Sequence, residues 1–213
     1  MATLILPTGK VSVDTVGFDV DGVLRDTGYL AFQHCRLAIA ELGGIPPELD
    51  DFVHDWAGML NTYFRACGVN ASDDEIHRVN TKYISTHDIA DPFHDVGDTL
   101  TYLESLGVRT FALSGHGHVE LQAWFAKHGL HTRFDHVQGS GSDKVAHLVA
   151  LRKQFSSTSA CYLGDWGQDM RAARTAGMVP IGITRSLKTH DVLVRNGASV
   201  VIDHLYELAE LIH

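Results

Sequence analysis

The second half of this chain repeats one pattern: a helical stretch, a glycine, then a short apolar run. Leu103-Glu104-Ser105-Leu106-Gly107 leads into Val108 to Leu113, and Phe125-Ala126-Lys127-His128-Gly129 precedes Phe134 to Val137. The pattern returns at Gly177 before Val179 to Ile183 and at Gly197 before Ser199 to Ile202. Each glycine suits the left-handed residue just past a helix end. Strands alternating with helices of this length imply βαβ units and a mostly parallel sheet. Thr15 to Val20 and Ala160 to Leu163 bring the expected strands to about six, a size usual for such sheets. The expected fold class is α/β, a doubly wound, mostly parallel sheet.

Residues 28–91 break the rhythm, with three helical patterns and no convincing strand. Tyr29 to Leu42 stops at Gly43-Gly44 and Pro46-Pro47, and Leu49 to Cys67 stops at Gly68. The third opens with Ser72-Asp73-Asp74-Glu75, where Ser72 and Glu75 can satisfy the first amides of a helix. This reads as a small all-helical cap domain, 28–91, inserted into a core formed by 1–27 and 92–213. Trp56, Tyr63 and Phe64 read as its apolar centre.

Composition excludes several function classes. A hydrophobic content of 45% over 213 residues is that of an ordinary globular protein. The formal charge of -9 argues against broad nucleic-acid binding, which needs a basic footprint. No apolar run approaches the ~20 residues of a membrane helix, so no membrane partner is expected. Met1 to Lys10 carries only a short apolar patch broken by Pro7 and Gly9, unlike a secretory signal. Cys35, Cys67 and Cys161 form neither a metal spacing nor a disulfide framework, which fits a reducing cytoplasm. The 14 histidines are scattered, and only His116 and His118 occupy positions of interest.

Four short segments carry the chemistry. Val16-Gly17-Phe18-Asp19-Val20-Asp21-Gly22 is an apolar run ending in two carboxylates two residues apart. A strand entering a turn there sets both acids at its carboxyl end, where open α/β sheets bind ligands. Two such acids can divide the work, one ionised and one protonated. The strand ending at Leu113 runs into Ser114-Gly115, whose hydroxyl and amides can hold phosphate oxygens. Lys144 follows Gly139-Ser140-Gly141-Ser142-Asp143 and opens a helix. A cation there opposes the helix dipole, which points to another task for its ammonium. Finally, Ala160 to Leu163 delivers Gly164-Asp165, and Asp169 follows four residues later on the same side of the turn. Paired carboxylates of this kind suit Mg²⁺.

In order and context these segments resemble the four signature motifs of the haloacid dehalogenase superfamily, most of whose members are Mg-dependent phosphotransferases. The resemblance spans residues 16 to 185, and Val145 departs from the proline that many relatives carry after the lysine. It implies that Asp19 is a nucleophile forming an aspartyl phosphate. Asp21 would protonate the leaving alkoxide and then activate water. Gly22, Ser114, Gly115 and Lys144 would bind the phosphate. Mg²⁺ would be held by Asp19, the Asp21 main-chain carbonyl and Asp165, with Asp169 supporting it directly or through water. An acid at position 21 disfavours dehalogenation and ion pumping, because such relatives lack it.

The helical cap resembles that of the phosphoglycolate phosphatase and β-phosphoglucomutase branch. The mutase pattern has a histidine where this chain has Ala31; His34 lies one turn further and reads as packing. An imine-forming cap lysine could only be Lys82, which reads as solvated. The expected activity is hydrolysis of a small phosphomonoester by a monomer or homodimer, with a phosphomutase or a non-catalytic regulatory protein as alternatives. A polynucleotide substrate is disfavoured by ten acids in the cap against Arg36, Arg65, Arg78 and Lys82. Arg25 reads as a substrate contact or an exposed flap residue, His116 as a lining of the entrance or a surface residue, and Trp166 as packing or a wall.

Overall fold

A computed structural model of the chain describes residues 1–55, 60–84, 90–139, 143–187 and 189–213. Trp56, the centre of the second helical pattern and Ser140, Gly141 and Ser142 lie outside the described residues. The chain divides into two compact units, residues 1–26 with 91–213 and residues 27–90.

The first unit opens with an antiparallel hairpin, β1 (Ala2–Leu6) and β2 (Gly9–Val13), followed by β3 (Thr15–Asp19). The second unit holds α1 (Gly28–Glu41), α2 (Leu49–Asp55), α3 (Leu60–Ala66) and α4 (Asp73–Ile84). The chain then alternates through α5 (Val96–Ser105), β4 (Arg109–Leu113), α6 (His118–Lys127), β5 (His136–Gln138) and α7 (Lys144–Gln154). It continues with β6 (Ala160–Gly164), α8 (Gly167–Thr175), β7 (Val179–Ile183), α9 (His190–Arg195) and β8 (Val200–Ile202). A 3₁₀ turn, Leu205–Glu207, and α10 (Leu208–Leu211) complete it.

Six parallel strands form one sheet in the order β5-β4-β3-β6-β7-β8, the doubly wound fold expected from the helix–glycine–strand rhythm. Side chains alternate across a strand, so each face gathers its own apolar layer. Val16, Phe18, Ala112 and Leu163 pack with Leu100 and Leu103 of α5 and with Trp124 and Phe125 of α6. On the other face Phe111, Leu113 and Tyr162 pack with Leu148 and Leu151 of α7 and with Ala172 and Ala173 of α8. Gly17 is level with Phe111 and Tyr162, whose rings stack 6.2 Å apart. Its missing side chain makes room for them.

In the helical unit, Phe32 of α1 meets Phe52 of α2 at 5.4 Å between ring centroids, and Phe52 meets Tyr63 of α3 at 6.1 Å. Glu41 at the end of α1 accepts hydrogen bonds from Lys82 Nζ (2.7 Å) and Tyr83 Oη (2.6 Å) of α4. Lys82 is exposed and occupied by that pairing. Ser72 Oγ accepts the Glu75 N–H at 3.3 Å, the serine's part of the expected helix start.

Within the second helical pattern the described residues form α2 and α3. Two expectations need correction. The N-terminal patch is β1, with Leu4 fully buried, and it exchanges backbone hydrogen bonds with the tail through Thr3 and His213 at 2.7 and 3.0 Å. Pro7, which interrupts the hydropathy, stands in the hairpin turn. The strand expected from Phe134 begins at His136, because Phe134 turns inward to meet Phe18 and Phe125 edge-on.

A Cβ at position 17 would lie 2.2 Å from Cζ of Phe111. Gly17→Ala is expected to cost about 1–3 kcal/mol through overpacking, read as a lower denaturant midpoint at unchanged m-value.

Candidate active site

The chain passes from β3 to β4 on one side of the sheet, and β6 returns on the other side of β3. Connections therefore diverge above the carboxyl end of β3, the place where open α/β sheets bind ligands. Parallel register brings the strand ends to one level: Asp19 is opposite Leu113, and Phe18 is opposite Leu163. Ser114 follows Leu113 directly, and Asp165 follows the last residue of β6. Asp19 shares its face with Leu113, the face covered by α7 and α8. Lys144 opens α7, and Asp169 is the third residue of α8.

These residues meet. Lys144 Nζ donates to Asp19 Oδ2 at 3.0 Å and to Asp169 Oδ1 at 2.5 Å. Asp143, not Lys144, serves the helix end, its carboxylate accepting the Ala146 N–H at 3.0 Å. The lysine is thus tolerated at an unfavourable dipole position because its charge is spent on two carboxylates. Asp169 is fully buried, and its Oδ2 accepts the Trp166 N–H at 3.0 Å. Asp19 is 7% exposed and its Oδ1 accepts the Val20 N–H at 2.9 Å. The Tyr162 ring lies 5.7 Å from the Lys144 ammonium, a cation–π contact that nothing in the motif spacing signals.

Burial dominates the electrostatics. It pushes the Asp19 carboxyl up to about 7, against the pull of Lys144 and with Asp169 and Asp21 adding to the rise. Burial likewise holds Asp165 well above the usual carboxylate range, reinforced by Asp169 and Asp19. Burial opposes the charge on Lys144, but Asp169 and Asp19 outweigh it and hold the ammonium well above its ordinary value.

One carboxylate oxygen from each of Asp19, Asp165 and Asp169 falls within 4.8 Å of the others. Asp165 is 1% exposed, and its Oδ1 is a buried polar atom with no hydrogen-bond partner among the described residues. Hard oxygens, excess negative charge and an orphaned acceptor fit a divalent cation. Gly22, at φ +73°, leaves the space this acid occupies: a Cβ there would lie 2.1 Å from Asp165 Oδ2. Ser186, which the sequence did not mark, hydrogen-bonds the Asp165 carboxylate from the loop after β7.

The Asp21 carboxylate faces a different group. Its Oδ2 accepts from Ser114 Oγ at 3.2 Å and lies 3.2 Å from His116 Nε2, while Arg25 Nε donates to Oδ1 at 2.9 Å. Ser114 Oγ in turn accepts the His116 N–H at 3.1 Å, which sets the Ser114-Gly115-His116 turn, with Gly115 exposed at its tip. Arg25 is not an exposed flap residue: it is fully buried, with its guanidinium 5.2 Å from the Trp124 ring centroid. His116 belongs to the site, whereas His118 starts α6 and accepts the Gly139 N–H on Nδ1 at 3.4 Å. Trp166 caps α8.

Comparison with known proteins agrees with this fold. A phosphoglycolate phosphatase of Synechococcus elongatus is 24% identical over 184 residues, covering 83% of this chain and 86% of that protein. A haloacid dehalogenase-like hydrolase of Streptococcus pneumoniae superposes with a TM-score of 0.75 at 21% identity, over 93% of this chain and 97% of its own. A Thermotoga maritima chain provisionally named β-phosphoglucomutase superposes at 0.62 with 19% identity, over 93% and 97% of the two chains. Both likenesses are of fold. The model of the haloacid dehalogenase-like hydrolase family matches residues 16–183, from the strand that carries Asp19 to the end of β7. With the doubly wound sheet and the four motifs gathered at its carboxyl edge, this chain belongs to the haloacid dehalogenase-like hydrolases, an enzyme family.

Proposed function

We propose that the chain is a Mg²⁺-dependent phosphatase, phosphoglycolate phosphatase-like, that hydrolyses a small phosphomonoester through an aspartyl phosphate on Asp19. The observation that carries this reading is the buried Asp19 carboxylate, 3.0 Å from the Lys144 ammonium, with a second acid two residues on bonded to Ser114. An anionic nucleophile attacking an anionic phosphate needs positive charge already in place. Lys144 supplies part of it. Mg²⁺ held by Asp19, Asp165 and the Asp21 main-chain carbonyl, with Asp169 beside it, would supply the rest by drawing charge from the phosphoryl oxygens.

In this reading Ser114 Oγ, the Gly115 N–H and the backbone at Gly22 orient the phosphoryl group. A carboxylate oxygen of Asp19 attacks phosphorus as the ester bond breaks, and Asp21 gives its proton to the departing alkoxide. Asp21 then takes a proton from water, which attacks the aspartyl phosphate and releases inorganic phosphate. Asp169 acts as a brace, since both its oxygens already accept hydrogen bonds, from Lys144 and from Trp166. The helical unit is the cap in this reading, the part that selects the alcohol. The name of the cyanobacterial relative supports a short organic-acid phosphate as the substrate class. Ala31, where the mutase pattern has histidine, favours water over a sugar hydroxyl as final acceptor; His34 is buried within α1.

Phosphate release from phosphoglycolate and from p-nitrophenyl phosphate is expected with Mg²⁺ and not with chelator. Asp19→Asn is expected to abolish it, and Lys144→Met to lower kcat about 10²–10³-fold. Mg²⁺-dependent turnover that survives in Asp19→Asn would refute the nucleophile.

The raised value of Asp19 also sets a pH dependence of stability. Its carboxyl binds a proton more tightly folded, at about 7, than unfolded, at 3.8. The stability it contributes is therefore full below about pH 4 and lost as pH rises through about 7. In chelator, stability is expected to fall between about pH 5 and pH 8 by up to about 3 kcal/mol more for the wild type than for Asp19→Asn, read as a steeper drop in Tm. Mg²⁺ is expected to restore more stability at the higher pH, where the carboxylates are ionised. Parallel pH profiles of the two proteins would contradict it.

A further inference from the structure

Both oxygens of Asp21 are engaged, and by partners of different kinds. Oδ1 accepts the Arg25 Nε–H at 2.9 Å, while Oδ2 meets Ser114 Oγ and His116 Nε2, each at 3.2 Å. Among the described residues Arg25 is the second largest side chain fully enclosed by the fold, and its guanidinium rests over Trp124, itself only 2% exposed. The backbone holds Arg25 to the same turn as Asp21: its N–H donates to Val20 O at 3.1 Å, and its carbonyl accepts the Gly22 N–H at 2.9 Å. A guanidinium is planar and keeps its donors in a rigid fork, so a carboxylate bound to it loses rotational freedom. Burying such a cation is costly without a carboxylate partner. An arginine enclosed to this degree is built to face inward, to Asp21, and not outward to a substrate.

We infer that Arg25 is a positioning residue that holds Asp21 Oδ1, so that Oδ2, the oxygen facing Ser114 and His116, exchanges the proton with the leaving group. The inference deepens the phosphatase reading and rests on it. In the step concerned, the Asp19–phosphorus bond forms and the ester P–O bond breaks. The electron pair departs on the alkoxide oxygen, which takes the proton from Asp21 Oδ2. Misorienting Asp21 harms this step only where the leaving group needs that proton.

The test compares kcat/KM, which covers events up to departure of the alcohol, for two esters. One is the alkyl phosphate that the wild type turns over fastest in a panel led by phosphoglycolate. The other is p-nitrophenyl phosphate, whose leaving group departs without a proton. Arg25→Met is expected to lower kcat/KM about 100-fold on the alkyl ester and no more than about fivefold on the aryl ester, the asymmetry of a misplaced general acid. Arg25→Lys, which keeps the charge and loses the planar donor, is expected to fall between, and it decides by the same ratio if Arg25→Met does not fold. Equal losses on both esters would make Arg25 a substrate contact or a purely structural residue and overturn the inference. Unchanged kcat/KM on both would also overturn it, as would a wild type that cleaves the aryl ester alone. A wild type that cleaves neither ester with Mg²⁺ defeats the phosphatase reading itself, and this inference with it.

Discussion

Asp19, Asp165 and Asp169 share a volume from which water is nearly excluded, with ligand oxygens within 4.8 Å of one another. The Lys144 ammonium bonds two of them. Carboxylates crowded in this way repel and lack hydration, so a chain relying on packing alone would not keep them. Much of the fold can be understood as what it takes to hold them. β3 sits at the centre of the sheet, its five residues buried, and β4 and β6 fix its height on either side. Asp169 is anchored by the first turn of α8, and Gly22 bends the chain closely enough to admit Asp165. Local instability at such a point is the usual accompaniment of function: the negative field that penalises the cluster is one that a divalent cation would relieve.

The two faces of the sheet serve the two acids of the first motif separately. Strand alternation sends Asp19 toward α7 and α8, which supply Lys144 and Asp169. Asp21 lies beyond the strand and takes its partners from the turn after β4 and from Arg25, which lies over Trp124 of α6. Two carboxylates two residues apart thus experience different electrostatic surroundings. That separation is the condition for two carboxylates to carry different charge at one pH.

Legibility in the sequence followed the range of the forces involved. Val179 to Ile183 was readable to the residue because an apolar run bounded by a helix-ending glycine is a local signal. The β1 hairpin was not, since Leu4 is buried by contacts with the far end of the chain, and Pro7 masks the pattern. Phe134 looked like strand by composition, yet its ring is spent on Phe18 and Phe125. In the site, the motif residues carried their own signal, since each requires a particular residue type at a strand or helix end. Ser186, Tyr162 and Trp124 had none: serines and aromatics are common, and their roles come from what lies opposite. Arg25 was ambiguous for the same reason, because burial of a long cation depends on which carboxylate and which ring happen to face it.

By itself, then, the order of residues determined the class of sheet, the helical insertion and the acids, hydroxyl and lysine available for chemistry, all encoded in spacings shorter than a single βα unit. Only the tertiary structure decided which of these share a charge. Lys144 reaches Asp19 across 125 positions, and Ser114 reaches Asp21 across 93. Such pairings follow from strand order and register, which are properties of the whole sheet. Whether Arg25 turned outward to a substrate or inward to Asp21 was likewise settled by packing, since a guanidinium enters a core only where a carboxylate and an aromatic face are both waiting for it.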